Sequence, residues 1–162
     1  MIEMELVGVR VEFPGPAPIV LLKETNERGL VLPIFIGNAE ANAIDIHLRN
    51  DSPPRPMTHD LFATALKEMN ASLTKVVVTE IDDKTFFAEI HFETVDGTKT
   101  ISSRPSDAIA LAVRMSSPIY AEEAVLTVAG HKMREDIEDS EEDVLSEFRN
   151  FLDDVSPEDF SA

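Results

Sequence analysis

Residues 102–112 read S-S-R-P-S-D-A-I-A-L-A. The stretch sets hydroxyls, a guanidinium, a proline and a carboxylate ahead of an almost wholly apolar run. Ser103 is placed to cap a helix, and Pro105 is tolerated in a first turn because its missing N–H would be unpaired there anyway. Ser106 and Asp107 suit the positive end of a helix dipole. The spacing predicts a helix over residues 104–115, and Ala108 through Val113 leave it no polar face. Such a helix has to be covered on several sides. Only Arg104 is not required by the helix start.

The surrounding chain supplies strands and further helices. Residues 4–13 alternate, with Val7, Val9, Val11 and Phe13 on one face, and predict a half-buried strand closed by P-G-P at 14–16. Strands over 18–24 and 30–36 follow, with Gly29 suited to a positive-φ turn position between them. Helices are predicted over 39–49, with Asn38 as cap, and after Thr58, where Leu61, Phe62, Ala65, Leu66 and Met69 form an apolar stripe. Between them, D-S-P-P-R-P at 51–56 cannot be helical. Strands over 72–82 and 85–95 come next, the second with Phe86, Ala88, Ile90 and Phe92 facing in, and Asp96-Gly97 turns the chain into a short strand at 98–102. After the buried helix, 117–120 is a short strand or connector and 121–128 a brief helix or edge. The expected fold class is α+β: a mixed, largely antiparallel sheet with helices packed on it. The expected organisation is a domain over 1–130 and an acidic tail over 131–162, in which Val144, Leu145, Phe148, Phe151 and Leu152 mark an amphipathic helix.

Composition narrows the function classes. There is no Cys in the 162 residues, so disulfides, thiol nucleophiles and zinc ribbons are excluded. No signal peptide or apolar run of spanning length is evident, and a cytoplasmic protein without a membrane partner is expected. The formal charge is −17, with 12 acidic and 3 basic residues in 131–162. That field opposes unspecific nucleic-acid binding, so a nuclease here needs a local basic groove or metal ions. Phosphate-loop, dinucleotide, zincin and nucleophile-elbow motifs are absent.

Two stretches carry candidate chemistry. In R-P-M-T-H-D-L, residues 55–61, Pro56 fixes Arg55 just before a helix start, with His59 and Asp60 in the first turn. A helix start suits an anion, His59 suits a general base, and Asp60 suits a cation or a His-orienting role. Residues 103–107 repeat the grammar: Arg104-Pro105, then Ser106 and Asp107. If both starts converge, they bring together two guanidiniums, two carboxylates and an imidazole, a constellation fit for phosphate directly or through a metal. The alternation Glu89-x-His91-x-Glu93 has the residue types of a metal site, but its spacing is that of a solvated sheet face.

Taken in order, L-P-I-F-I-G-N-A-E-A (32–41), P-R-P-M-T-H-D-L (54–61), T-F-F-A-E-I (85–90), S-R-P-S-D-A-I-A-L-A (103–112) and P-I-Y-A-E-E-A-V-L (118–126) resemble the bacterial bifunctional nuclease domain family. The resemblance implies a compact α+β domain, usually a homodimer, and a nuclease acting on RNA and DNA. The family's recurrent polar positions fall on Glu40, Arg55, His59, Asp60, Arg104, Ser106 and Asp107.

Two functions are therefore expected. The first is metal-assisted phosphodiester hydrolysis, with Asp60, Asp107 and Glu40 on Mg²⁺ or Mn²⁺, His59 activating water with Asp60 and Asp107 as its catalytic partners, and Arg55, Arg104 and Ser106 binding substrate. The alternative is a non-catalytic dimeric regulatory module for a small anion or a protein partner, in which Arg104 and Asp107 bridge to Asp60 and Arg55 and lock two helices together.

Overall fold

The computed structural model describes residues 1–10, 17–51 and 53–132. The Val11–Phe13 end of the first expected strand, the P-G-P turn and the expected tail helix lie outside the described residues.

The strands are β1 (Ile2–Arg10), β2 (Ile19–Glu24), β3 (Leu30–Phe35), β4 (Ser72–Asp82), β5 (Thr85–Thr94), β6 (Gly97–Ser103), β7 (Ile119–Ala121) and β8 (His131–Lys132). The helices are α1 (Asn38–Leu48), α2 (Thr58–Glu68), α3 (Pro105–Met115) and α4 (Glu123–Ala129). Among the described residues the strands form one eight-stranded sheet in the order β6-β5-β4-β7-β1-β2-β3-β8. All neighbours are antiparallel except β4 and β7. The fold is α+β with a mixed, mostly antiparallel sheet, as the alternating segments imply.

Two meanders make up this sheet, and β7 joins them. Ile119–Ala121 pairs in parallel with Val76–Val78 and antiparallel with Ile2–Met4. Three residues thus hydrogen-bond to both halves. Turn chemistry inside each meander follows local sequence: Gly29 takes φ +59° between β2 and β3, and Asp83 and Lys84 both adopt positive φ in the tight turn between β4 and β5.

The first strand departs from simple alternation. Its register against β2 shifts between Leu6 and Gly8, so Val7 is the extra residue of a bulge and is half exposed. Inward positions change parity there: Ile2, Met4 and Leu6 face the core before the bulge, and Val9 does so after it. Val7 therefore does not share the inward face with Val9, as strict alternation predicts. In β5 no such break intervenes between Ala88 and Phe92, and Ala88, Ile90 and Phe92 are buried as expected.

α3 is the centre of the packing. It lies on β4 and β5, and α1 and α2 pack against it in turn. Ala108, Ile109, Ala110, Leu111 and Ala112 are all at most 1% exposed, which explains the missing polar face. Three alanines in this run let neighbouring elements approach closely.

α2 corrects the expected stripe. It buries Ala63 and Leu66, while Leu61, Phe62 and Met69 stay exposed. The hydrophobic pattern was real, but α3 meets only the edge of it. The caps also shift by one residue: Gly37, Met57 and Arg104 occupy the N-cap positions, not Asn38, Thr58 and Ser103.

Leu111→Ala should lower the unfolding free energy by about 3 kcal/mol, since a buried Leu leaves a cavity. Leu61→Ala should change it by less than about 0.5 kcal/mol, as for other exposed sites. Urea titrations of both variants check the contrast.

Candidate functional site

The starts of α2 and α3 converge, and α1 flanks them. Arg104 is the N-cap of α3 and holds Asp107 in the first turn through two bonds, Nε to Oδ2 at 2.7 Å and Nη2 to Oδ1 at 3.0 Å. The same Nη2 lies 3.0 Å from Glu40 Oε1 on α1. His59 Nε2 lies 3.2 Å from Asp107 Oδ1. One carboxylate thus receives a guanidinium from its own helix and an imidazole from the next. Arg104 remains 64% exposed while doing so, which leaves its outer edge open to solvent.

Local sequence places each group. Pro105 at the first helical position fixes the entry to α3 and sets Asp107 three residues beyond Arg104, within reach of its guanidinium. Glu40 folds back over the start of α1, its carboxylate lying against Gly37 in space that a side chain there would share. Ser106 is buried beneath the α3 start at 6% exposure.

Asp60 belongs to a second network. Its Oδ2 accepts the Met57 N–H at 2.8 Å, and its Oδ1 accepts Arg114 Nε at 2.6 Å. Arg114 also donates through Nη1 to Ala110 O at 2.9 Å and through Nη2 to Ala43 O at 2.8 Å. Its side chain is 4% exposed. A buried guanidinium therefore ties α1, α2 and α3 at once. The expected bridges from Arg104 and Asp107 to Asp60 and Arg55 are not formed: Asp60 takes Arg114, while Arg104 takes Asp107 and Glu40. Arg55 is exposed and makes no ion pair among the described residues.

Arg114 was not singled out in the sequence. It sits at the end of the apolar run, where a basic residue in the last turn reads as a dipole partner. A cation bordering a helix with no polar face was the available signal, since a buried charge requires a partner.

Electrostatics follow the pairing. Burial works against the charge of Asp107, but the hydrogen bonds from Arg104 and His59 outweigh it and hold the carboxyl below its ordinary value. Burial likewise opposes Asp60, and Arg114 with the Met57 N–H brings it below the ordinary value. The Asp107 hydrogen bond, against some desolvation, raises Arg104 further above the usual arginine range.

The expected ligand set Asp60, Asp107 and Glu40 is not gathered round one point. Each carboxylate already faces a guanidinium, and no group of three His, Asp or Glu placed to hold an ion occurs among the described residues. In this arrangement the donors fit protein cations and not a metal ion. On β5, His91 pairs with Glu89 at 3.4 Å and with Thr100 at 3.1 Å, and Glu93 accepts from Thr98 at 3.0 Å, so that row is a hydrogen-bonded sheet face.

Arg114→Ala should destabilise the fold by roughly 3 kcal/mol, because it leaves the partly buried Asp60 carboxylate without its cation and removes the bonds that tie α1 and α2 to α3. Arg104→Ala should cost under about 1 kcal/mol, since its pairs are solvent-screened. Thermal melts test both. Depressed carboxyls stabilise the fold fully above the unfolded aspartate value of 3.8 and lose that contribution as pH falls through the lower folded values. The melting temperature should therefore drop on an acid limb below pH 3.8, and Asp60→Asn should make that limb shallower.

Comparison with known proteins is consistent along the chain. A protein of Mycobacterium tuberculosis described as uncharacterised is 41% identical over 165 residues, covering 99% of this chain and 98% of that protein. Bifunctional nuclease 1 of Arabidopsis thaliana is 29% identical over 108 residues, which is 65% of this chain and 33% of the plant protein. A bifunctional nuclease of Oryza minuta is 23% identical over 128 residues, or 77% of this chain and 39% of that one. The chain thus spans little more than a third of these plant relatives. No helix among the described residues is long and apolar enough to cross a membrane. The family model of the bifunctional nuclease domain matches residues 20–134, a stretch that holds both converging helix starts, and the chain belongs to that family.

Proposed function

We propose that this protein is a nuclease that hydrolyses phosphodiester bonds of RNA or DNA at the His59–Asp107–Arg104 cluster. The observation that carries the reading is the 3.2 Å contact of His59 with Asp107, beside a guanidinium that is anchored yet largely exposed. Family membership supports it, since plant members are named bifunctional nucleases.

In this reading each side chain takes the role its position supports. Asp107 orients the His59 ring through Nε2, leaving Nδ1 to take a proton from the attacking water. That water's oxygen bonds to phosphorus as the bond to the leaving oxygen breaks, and the leaving alkoxide takes up a proton from solvent. Arg104 meets the charge that develops on the non-bridging oxygens, and the starts of α2 and α3 add their positive dipole ends. Asp107 and Glu40 hold Arg104 until substrate arrives. Arg55, fixed by Pro56 on the loop before α2, is the second phosphate contact in this reading. Asp60 acts through structure, holding the first turn of α2 in place.

A Mg²⁺ or Mn²⁺ ion would have to compete with Arg104 for Asp107 and Glu40, so no step is assigned to one. Cleavage of single-stranded RNA and DNA with Mg²⁺, Mn²⁺ or EDTA decides the matter, with wild type run beside His59→Ala, Asp107→Asn and Arg104→Ala. Loss of about 100-fold or more in the His59 and Asp107 variants, with melting temperatures near wild type, is expected for a general base and its partner. Cleavage that survives EDTA supports the metal-free roles. Cleavage that depends on metal reassigns Asp107 and Glu40 to the ion. Equal cleavage in all variants rejects the site, and no cleavage at all favours a non-catalytic module that binds a small anion.

A further inference from the structure

We infer that Glu40 is an autoinhibitory carboxylate: in the resting protein it stands where a phosphate group would meet Arg104, and a phosphate binds there through two oxygens only by displacing it. This role rests on the reading that Arg104 contacts phosphate, and not on the chemistry assigned to His59.

A guanidinium offers five N–H groups in a rigid fork, and it grips a carboxylate or phosphate best through two parallel bonds. One such edge uses Nε and Nη2, and the other uses Nη1 and Nη2, so Nη2 serves both. Asp107 fills the first edge, with Oδ2 at 2.7 Å from Nε and Oδ1 at 3.0 Å from Nη2. Glu40 Oε1 lies 3.0 Å from the same Nη2. Among the described residues no bond is made to Nη1. The second edge is thus half covered, and a carboxylate covers it.

The two acids are not held alike. Asp107 lies on the helix that Arg104 caps, makes both bonds of the first edge and also meets His59 Nε2 at 3.2 Å. Glu40 reaches over from α1 and touches the guanidinium at one nitrogen. With Arg104 64% exposed, that pair is screened by water and cheap to exchange. An arriving phosphate therefore takes the second edge at the expense of Glu40, while Asp107 stays on Arg104 and His59. Until it moves, Glu40 opposes the anion by repulsion as well as by occupancy.

The sign of the effect discriminates. A carboxylate that helps phosphate bind, by holding a metal ion or by fixing Arg104, weakens binding when it is neutralised. Neutralising Glu40 should strengthen it.

The test titrates inorganic phosphate into the full isotope-labelled chain at constant ionic strength, with the Arg104 Nε–H and the Asp107 backbone N–H followed by NMR. Glu40→Gln should lower the phosphate Kd about five-fold, the factor for removing one unit charge about 4 Å away in water. Asp45→Asn takes the same charge from α1, five residues or roughly 7.5 Å along the helix, and should leave Kd within about two-fold. Arg104→Ala should abolish the response at Asp107. An unchanged or raised Kd in Glu40→Gln overturns the inference, and so does an equal tightening in Asp45→Asn, which marks a general field effect. Binding that survives Arg104→Ala, or no binding to wild type and Glu40→Gln alike, overturns it together with the Arg104 phosphate contact. A chain that cleaves neither RNA nor DNA yet binds phosphate more tightly as Glu40→Gln loses the nuclease reading and keeps the inference.

Discussion

The guanidinium of Arg114 is the constraint on which the site depends. It is nearly inaccessible to water, so its charge has to be met inside the protein, and it is met by groups from three helices. Asp60 comes from the start of α2, Ala43 O from α1, and Ala110 O from its own helix. A buried cation with a missing partner costs far more than an exposed one, which makes this arrangement hard to distort. The start of α2 is consequently held against α3, and His59 is delivered to Asp107.

Arg104 has the opposite character. It pairs with two carboxylates but stays mostly in water, so its bonds are cheap to exchange. The two arginines of α3 divide the work by burial alone: one fixes the helices, and the other is available to an anion. The same difference leaves an accessible guanidinium on an otherwise acidic chain. The buried guanidinium of Arg114, by contrast, is already committed to Asp60 and two carbonyls.

Much of the fold was legible because it depends on short-range patterning. The apolar run Ala108–Val113 identified a helix covered on several sides, and β4 and β5 lie over one of them. The alternation in β5 and the Gly29 turn also read directly. Elsewhere pattern and outcome part company. Val7 satisfies alternation yet sits in a bulge, because pairing with β2 decides register. Leu61, Phe62 and Met69 satisfy helical spacing yet lie outside the core, because α3 covers only one edge of α2. The three residues of β7, too short to declare themselves, join the two halves of the sheet.

For the site, the sequence by itself determined the ingredients: two Arg-Pro helix starts, a histidine and the acids that follow them. Proline geometry and helix-end electrostatics act over a few residues, so they can be read without coordinates. Only the tertiary structure decided which cation meets which carboxylate. Asp60 turns to Arg114, 54 positions away, and Arg104 turns to Asp107 and Glu40. Such pairing depends on distance and burial, and both arise when α1, α2 and α3 pack together and water is excluded from one arginine and not from the other.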